Sequence, residues 1–266
     1  MSTTNRDFYA KSFAYHGQAV GFAASLTKPS CEIIPSLATA SLSITGGESY
    51  STVRDYNWKG LITFDEASAY ATGSSEPGKD KDGKDCIVFN TLSTVTLKNL
   101  NVANMVHAGL VVARVSSKHV APIPDRNEKP EIRMKRPAPE SQITFRGSMI
   151  ENLIIAGHRV PVELDEKFDD FPTYEKLAAN LKNMRPTGQM WADPNGDVVS
   201  CSLAKRVGGK EEFKYAVPGF GTIYVAQVIA KTSYRRISML RFELGCPIGG
   251  SGEAAGGETN GVPYWP

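Results

Sequence analysis

The feature that most limits what this chain can become is an apolar alternation of period two that changes face inside single extended segments. Val53 gives way to Tyr56 and Trp58, Val95 and Leu97 to Leu100 and Val102, and Ile237 and Met239 to Leu240, Phe242 and Leu244. Successive side chains of a strand point to opposite faces, so the period excludes a helix and the slip excludes a plain strand. The slip predicts one extra residue at each such point, a β-bulge or corner where the strand bends and can pass from one sheet to another. Sandwiches use bent strands of this kind at their corners.

The remainder of the chain agrees with that class. Segments rich in Val, Ile, Thr, Tyr and Phe, bounded by Gly, Asn, Asp or Pro, predict strands over 6–15, 18–26, 36–46, 50–58, 60–72, 92–102, 108–117, 142–155, 158–164, 187–192, 197–205, 212–216, 222–232 and 235–245. One stretch has a different period: Tyr174, Leu177, Ala178 and Leu181 recur at spacings of three and four behind Thr173, a capping residue, and predict a single helix over about 174–184 that ends before Pro186. Asp193-Pro194-Asn195-Gly196 is turn chemistry between two strands. Two hydrophilic stretches, Gly73 to Asp85 and the proline-rich Lys118 to Ser141, are expected as loops, since neither has the composition of a central strand. The fold class is therefore an all-β, bent-strand β-sandwich with one short α-helix. Its domain plan is a single β-rich domain over 1–245, followed by a flexible Gly-rich tail over 246–266. Laying Ser51-Thr52-Val53 over Ser93-Thr94-Val95 brings Gly60-Leu61-Ile62 near Gly109-Leu110-Val111, with a third copy beginning at Gln142. This repetition makes a β-solenoid the alternative architecture.

The segments Asn99-Leu100-Asn101-Val102, Gly109-Leu110-Val111-Val112-Ala113 and Ile150-Glu151-Asn152-Leu153-Ile154-Ile155-Ala156-Gly157-His158-Arg159-Val160 are similar to β-rich domains of bacterial surface proteins of the choice-of-anchor type, over roughly residues 36–165. The resemblance implies a structural or adhesive role and carries no catalytic residues with it. Unlike those proteins, the sequence shows no signal peptide and no recognisable wall or membrane anchor.

Chemistry is sparse. The 266 residues carry 30 Lys and Arg against 28 Asp and Glu, too even a balance to predict a nucleic-acid or anionic-membrane partner. Cys31, Cys86, Cys201 and Cys246 lie far apart with no Cys-x-x-Cys spacing and read as thiols, a disulfide arising only on export. His16, His107, His119 and His158 form no metal-binding pattern, and His107 and His158 are expected at a strand end and a turn. Asp193, Asn195 and Asp197 imitate the start of a calcium loop but lack its later glycine and glutamate. The carboxylate pairs Asp65-Glu66, Asp165-Glu166 and Asp169-Asp170 have structural explanations, and Gly208-Gly209 and Gly219 to Gly221 read as turns rather than phosphate loops. No catalytic residue, cofactor or metal is assigned. Without an apolar run of about 18 residues, no transmembrane segment is expected, and the default address is the cytoplasm, with signal-independent export or a surface location as the alternative.

The end of the chain offers the one functional pointer. A glycine-rich spacer leads to Val262, Tyr264 and Trp265, and two adjacent aromatics on a flexible segment supply a large contact area. These three residues are the candidate partner-binding site. The reading is a non-enzymatic structural or interaction protein, a component of a homo-oligomeric assembly. A ligand-binding module or enzyme whose site is assembled from residues distant in sequence is the alternative.

Overall fold

The computed structural model of the chain describes residues 13–28, 31–123, 141–184, 191–192, 198–210, 213–231, 234–245 and 249–263. Six long strands come first: β1 (Phe13–Leu26), β2 (Glu32–Ser41), β3 (Gly47–Trp58), β4 (Ile62–Lys79), β5 (Asp85–Val102) and β6 (Val106–Pro122). Short strands β7 (Gln142–Thr144), β8 (Met149–Glu151), β9 (Ile154–Ile155), β10 (His158–Arg159) and β11 (Val162–Leu164) lead to a 3-10 turn (Glu166–Asp170) and the helix α1 (Tyr174–Met184). Then follow β12 (Trp191–Ala192), β13 (Val199–Ser202), β14 (Ala204–Val207), β15 (Lys214–Val217), β16 (Gly221–Lys231), β17 (Tyr234–Leu244) and β18 (Gly250–Pro263).

Two eight-stranded sheets, antiparallel throughout, form a sandwich. The first runs β12-β13-β16-β17-β18-β1-β2 with β15 beside β16, and the second runs β10-β9-β6-β5-β4-β3 with β7 and β8 beside β6. β1 and β18 lie over β4, β5 and β6, and one apolar core fills the space between them. A solenoid would stack parallel strands; here the repeated segments are two successive hairpins, β3-β4 and β5-β6, of one sheet. The register pairs Ser51 with Ala69 and Ala69 with Val95, so Ser51 shares a level with Val95 rather than with Ser93. The helix occupies the expected residues: Thr173 caps it by accepting from the Lys176 N–H at 3.4 Å, and Leu177 is fully buried.

The changes of face are real, but their mechanism differs from the expected bulge. In the second sheet Asp55, Asn99 and Asn152 adopt left-handed backbone, with φ of 51°, 52° and 53°. The pairs on either side, Arg54 with Glu66 and Tyr56 with Phe64, keep one register, so no residue is inserted. In the first sheet Ala226, Ala255 and Ala38 do the same, with φ of 50°, 53° and 49°. Alternate strands thus carry one left-handed residue at a common level, and every strand crossing that level exchanges its inner and outer faces. β4 buries Ile62 and Phe64 before it and Ala67, Ala69 and Ala71 after it. None of these strands passes between sheets. A true register shift accompanies the switch only where β1 meets β2, between Phe22 and Ala24.

Small residues are required where the sheets approach closely. A Cβ on Gly21 would lie 2.9 Å from the Cβ of Ala67 on the opposite sheet, and one on Gly257 would lie 3.3 Å from Val115 Cγ1. Buried hydrogen bonds also cross the interior, Ser117 Oγ to Thr259 Oγ1 at 3.0 Å and Ser93 Oγ to the Glu258 carbonyl at 2.8 Å.

Three expectations need correction. Residues 250–263 are not a flexible tail: β18 lies between β1 and β17, with thirteen register pairs to β1 alone. Gly73 to Lys79 belong to β4 and Lys118 to Pro122 to β6; the β4-β5 turn is confined to residues 80–84, where Asp80 Oδ1 accepts from the Asp82 and Lys84 N–H groups at 2.9 and 2.8 Å. Residues 124–140 and the Asp193-Pro194-Asn195-Gly196 turn lie outside the described residues, although Trp191 pairs with Ser200 on either side of that turn.

Candidate interaction edge

The two long margins of the sandwich differ. On one, short strands cover the last long strand of each sheet: β7, β8 and β9 on β6, and β13 and β15 on β16. Arg235 ties this margin together. It is 1% exposed, and its guanidinium donates to the Ile143 carbonyl at 3.1 Å and the Phe171 carbonyl at 3.0 Å. On the other margin, among the described residues, β2 ends the first sheet and β3 ends the second. The chain crosses from one to the other through residues 42–46, where Ser43 bridges to Gly46, so both edges lie on the same side.

An edge strand presents unpaired backbone donors and acceptors, and proteins blunt such edges with proline, bulges or charge. β2 has Pro35 and its bulge. β3 has no proline in twelve residues, and its backbone is regular from Glu48 to Arg54. This margin also carries three of the four exposed large hydrophobic residues found among the described residues, Ile33 (78%), Ile44 (71%) and Tyr50 (67%).

The electrostatics run in rows across the second sheet's outer face. Glu66 of β4 is flanked by Lys98 of β5 at 3.2 Å and Arg54 of β3 at 3.2 Å. The hydrogen bond from Lys98, then that from Arg54, hold the Glu66 carboxyl below its ordinary value. The row plus, minus, plus therefore ends on an exposed cation at the edge. Two rungs along β3, Glu48 and Tyr50 stand opposite Thr72 and Tyr70 of β4.

The residues singled out in the sequence are placed as follows. Val262 lies within β18, opposite Ala14 of β1, while Tyr264 and Trp265 lie outside the described residues. His107 is half-buried on β6 opposite Asn101, and His158 is exposed on β10. Two clefts, of about 590 Å³ beside Arg146, Glu163 and Asp169 and about 620 Å³ beside Ser25, Arg241 and Glu253, are not lined by histidine. In the first cleft Asp169 accepts the Phe145 N–H at 2.8 Å and Asp165 caps the 3-10 turn, so these carboxylates hold backbone in place. Cys31 is exposed and Cys86 and Cys201 are buried; Cys246 is outside the described residues. Among the described residues, no cluster of three or more His, Cys, Asp or Glu is placed to hold a metal ion.

Two titratable features were not foreseen. On the first sheet's outer face Glu258 accepts from His16 at 2.9 Å and from Tyr234 at 2.7 Å, and beside it Glu253 accepts from Ser238 and Arg236. The Glu258 hydrogen bond raises the His16 pKa, while that same bond lowers Glu258; burial raises Tyr234. Both oxygens of Glu258 are occupied, so this network joins β17, β18 and β1 rather than offering free groups to a substrate. The second feature is His119, 2% exposed in an end cluster with Phe13, Tyr15, Ile87, Phe89 and Ala121. Phe13 stacks on Phe89 at 4.3 Å and meets the His119 ring edge-on at 5.0 Å. Among the described residues neither His119 nitrogen has a hydrogen-bond partner, and burial pushes its pKa down to about 4.

Fold and margins together define an all-antiparallel β-sandwich with one covered and one open side. The chain belongs to a family described as a domain of unknown function (DUF8256), whose model matches residues 13–192. No curated protein and no solved structure matches it. The family match ends before β16, β17 and β18, so its boundary cuts through the first sheet. Nothing in these matches connects the chain to choice-of-anchor domains. No helix among the described residues is long and apolar enough to cross a membrane.

Proposed function

We propose that this is a non-enzymatic structural or interaction protein whose copies associate with one another. The observation that carries the reading is the open margin, where two sheet edges lie side by side with Ile33, Ile44 and Tyr50 exposed, while the opposite margin is covered. Ser41 of β2 donates its N–H to Ser49 Oγ of β3 at 3.2 Å, and exposed apolar residues gathered beside strands that end their sheets among the described residues favour association. The part assigned to the C-terminal residues narrows. Val262 serves strand pairing, so Tyr264 and Trp265, outside the described residues, are what remains of that part.

Light scattering over a range of concentrations tests this on two chains, the full sequence and one ending at Pro263. The full chain is expected to form a defined oligomer. If the shortened chain associates equally, the open margin suffices and Tyr264 and Trp265 are dispensable. A strictly monomeric full chain at about 100 μM, weaker than the affinities of specific assemblies, overturns the proposal.

A further inference from the structure

The proposal that copies associate leaves open which surface they share, and the charge pattern of β3 selects one. Its outward-facing positions between Gly47 and the left-handed Asp55 are Glu48, Tyr50, Thr52 and Arg54. This sequence is self-complementary when read in the opposite direction. An antiparallel partner centred on Ser51 sets Glu48 against Arg54, Tyr50 against Thr52, Thr52 against Tyr50 and Arg54 against Glu48.

Resting on the self-association reading, we propose that two copies pair along β3 across a two-fold axis at Ser51, joining their second sheets into one continuous sheet. The existing row Lys98, Glu66, Arg54 then gains Glu48 of the second copy as its next member, and the signs alternate across the junction. The alternative centres serve worse. A shift of the axis by one residue in either direction sets Glu48 against Thr52 or Tyr56 and leaves the cation at the end of the row without a counter-charge. Because the contact is isologous it closes on itself, so the product is a dimer and not a filament. Ile33 of β2 lies beside Glu32, which pairs with Lys59 at one end of β3, and the Ile44 turn lies at the other end, so the antiparallel axis brings Ile33 of one copy toward the Ile44 turn of the second.

Charge reversal reads the register directly. Within one chain Glu48 and Arg54 are six residues apart on a strand, about 20 Å, and cannot meet. Sedimentation of the full-length chain is compared for wild type, Glu48→Arg, Arg54→Glu and the double reversal, with thermal melts verifying that each variant folds. Each single reversal replaces two attractive pairs by two repulsive ones and is expected to weaken the dimer on the order of tenfold to a hundredfold. The double reversal restores opposite signs across the axis and is expected to return to within about threefold of wild type. Glu48→Arg is the cleaner single variant, since Arg54→Glu also breaks the ion pair with Glu66. As an independent readout, Ser51→Cys in a Cys31→Ser background is expected to form an intermolecular disulfide on oxidation that Cys31→Ser alone does not form.

The outcomes separate the two readings. If the wild type associates but the reversals change nothing, or the double fails to recover, the β3 register is wrong while self-association stands. If the wild type is monomeric throughout, both are overturned.

Discussion

His119 gives one contribution to the acid stability of this protein a definite direction and size. Its ring is enclosed by Phe13, Phe89 and neighbouring apolar residues, with no partner for either nitrogen among the described residues, and burial depresses its pKa from 6.5 to about 4. In the unfolded chain the same imidazole takes up a proton as the pH falls through 6.5, while in the folded chain it stays neutral until about pH 4. The unfolded state therefore binds more protons between these values, and folding stability falls with falling pH. The contribution is intact above pH 6.5, is lost progressively toward pH 4, and is fully lost below it. At 1.36 kcal/mol for each unit, the loss from this one residue is on the order of 3 kcal/mol. His119→Phe keeps an aromatic ring in the stack and removes the titration. It is expected to be neutral to about 1 kcal/mol more stable at pH 7.5, because no orphaned nitrogen remains buried. Urea unfolding of both chains from pH 7.5 to 4 measures the difference. The gap in unfolding free energy should widen by about 3 kcal/mol over that range. Parallel curves, or a His119 titration near 6.5 by NMR in the folded protein, would refute the argument.

Replacing Arg235 by Leu strands the Ile143 and Phe171 carbonyls and is expected to cost about 2–5 kcal/mol in urea unfolding, with faster hydrogen exchange in β7. Ala255→Val forces a β-branched side chain into left-handed backbone inside a closely packed interior; thermal unfolding should show a loss of at least about 2 kcal/mol, against a near-neutral Ala255→Gly. Deleting residues 249–266 removes the strand between β1 and β17 and should abolish the cooperative melt, whereas ending the chain at Pro263 should leave it nearly unchanged, both followed by circular dichroism.

Much of the architecture was legible because it is written in local periods. Tyr174, Leu177, Ala178 and Leu181 marked the helix, and the handover from Val95 and Leu97 to Leu100 and Val102 marked the change of face. What a period cannot show is how a strand achieves the change. An inserted residue and a pair of aligned left-handed residues leave the same trace in one strand, and only the partner's register separates them. β18 escaped for a related reason. Its glycines look like a spacer, yet they answer to residues far away in sequence: a Cβ on Gly261 would overlap the Phe13 ring, and one on Gly257 would crowd Val115. Gly73 was lost to the same logic, since the Tyr15 ring lies 2.7 Å from where its Cβ would stand. The open margin was invisible because exposure of β3 depends on which strand ends each sheet. Its alternation of Glu48, Tyr50, Thr52 and Arg54 was nonetheless present to be read.

The position of β18 has a consequence for biogenesis. A ribosome delivers β1 first and must translate more than two hundred further residues before the strand that completes its pairing emerges. Until then the nascent chain holds two halves of one sheet that cannot join, β2-β1 on one side and β17-β16 on the other, with the facing edges of β1 and β17 unfilled. Maturation therefore waits on residues 250–263 arriving as a wedge, and a stalled or prematurely released chain displays two sticky ledges that a chaperone, or another nascent copy, is positioned to capture.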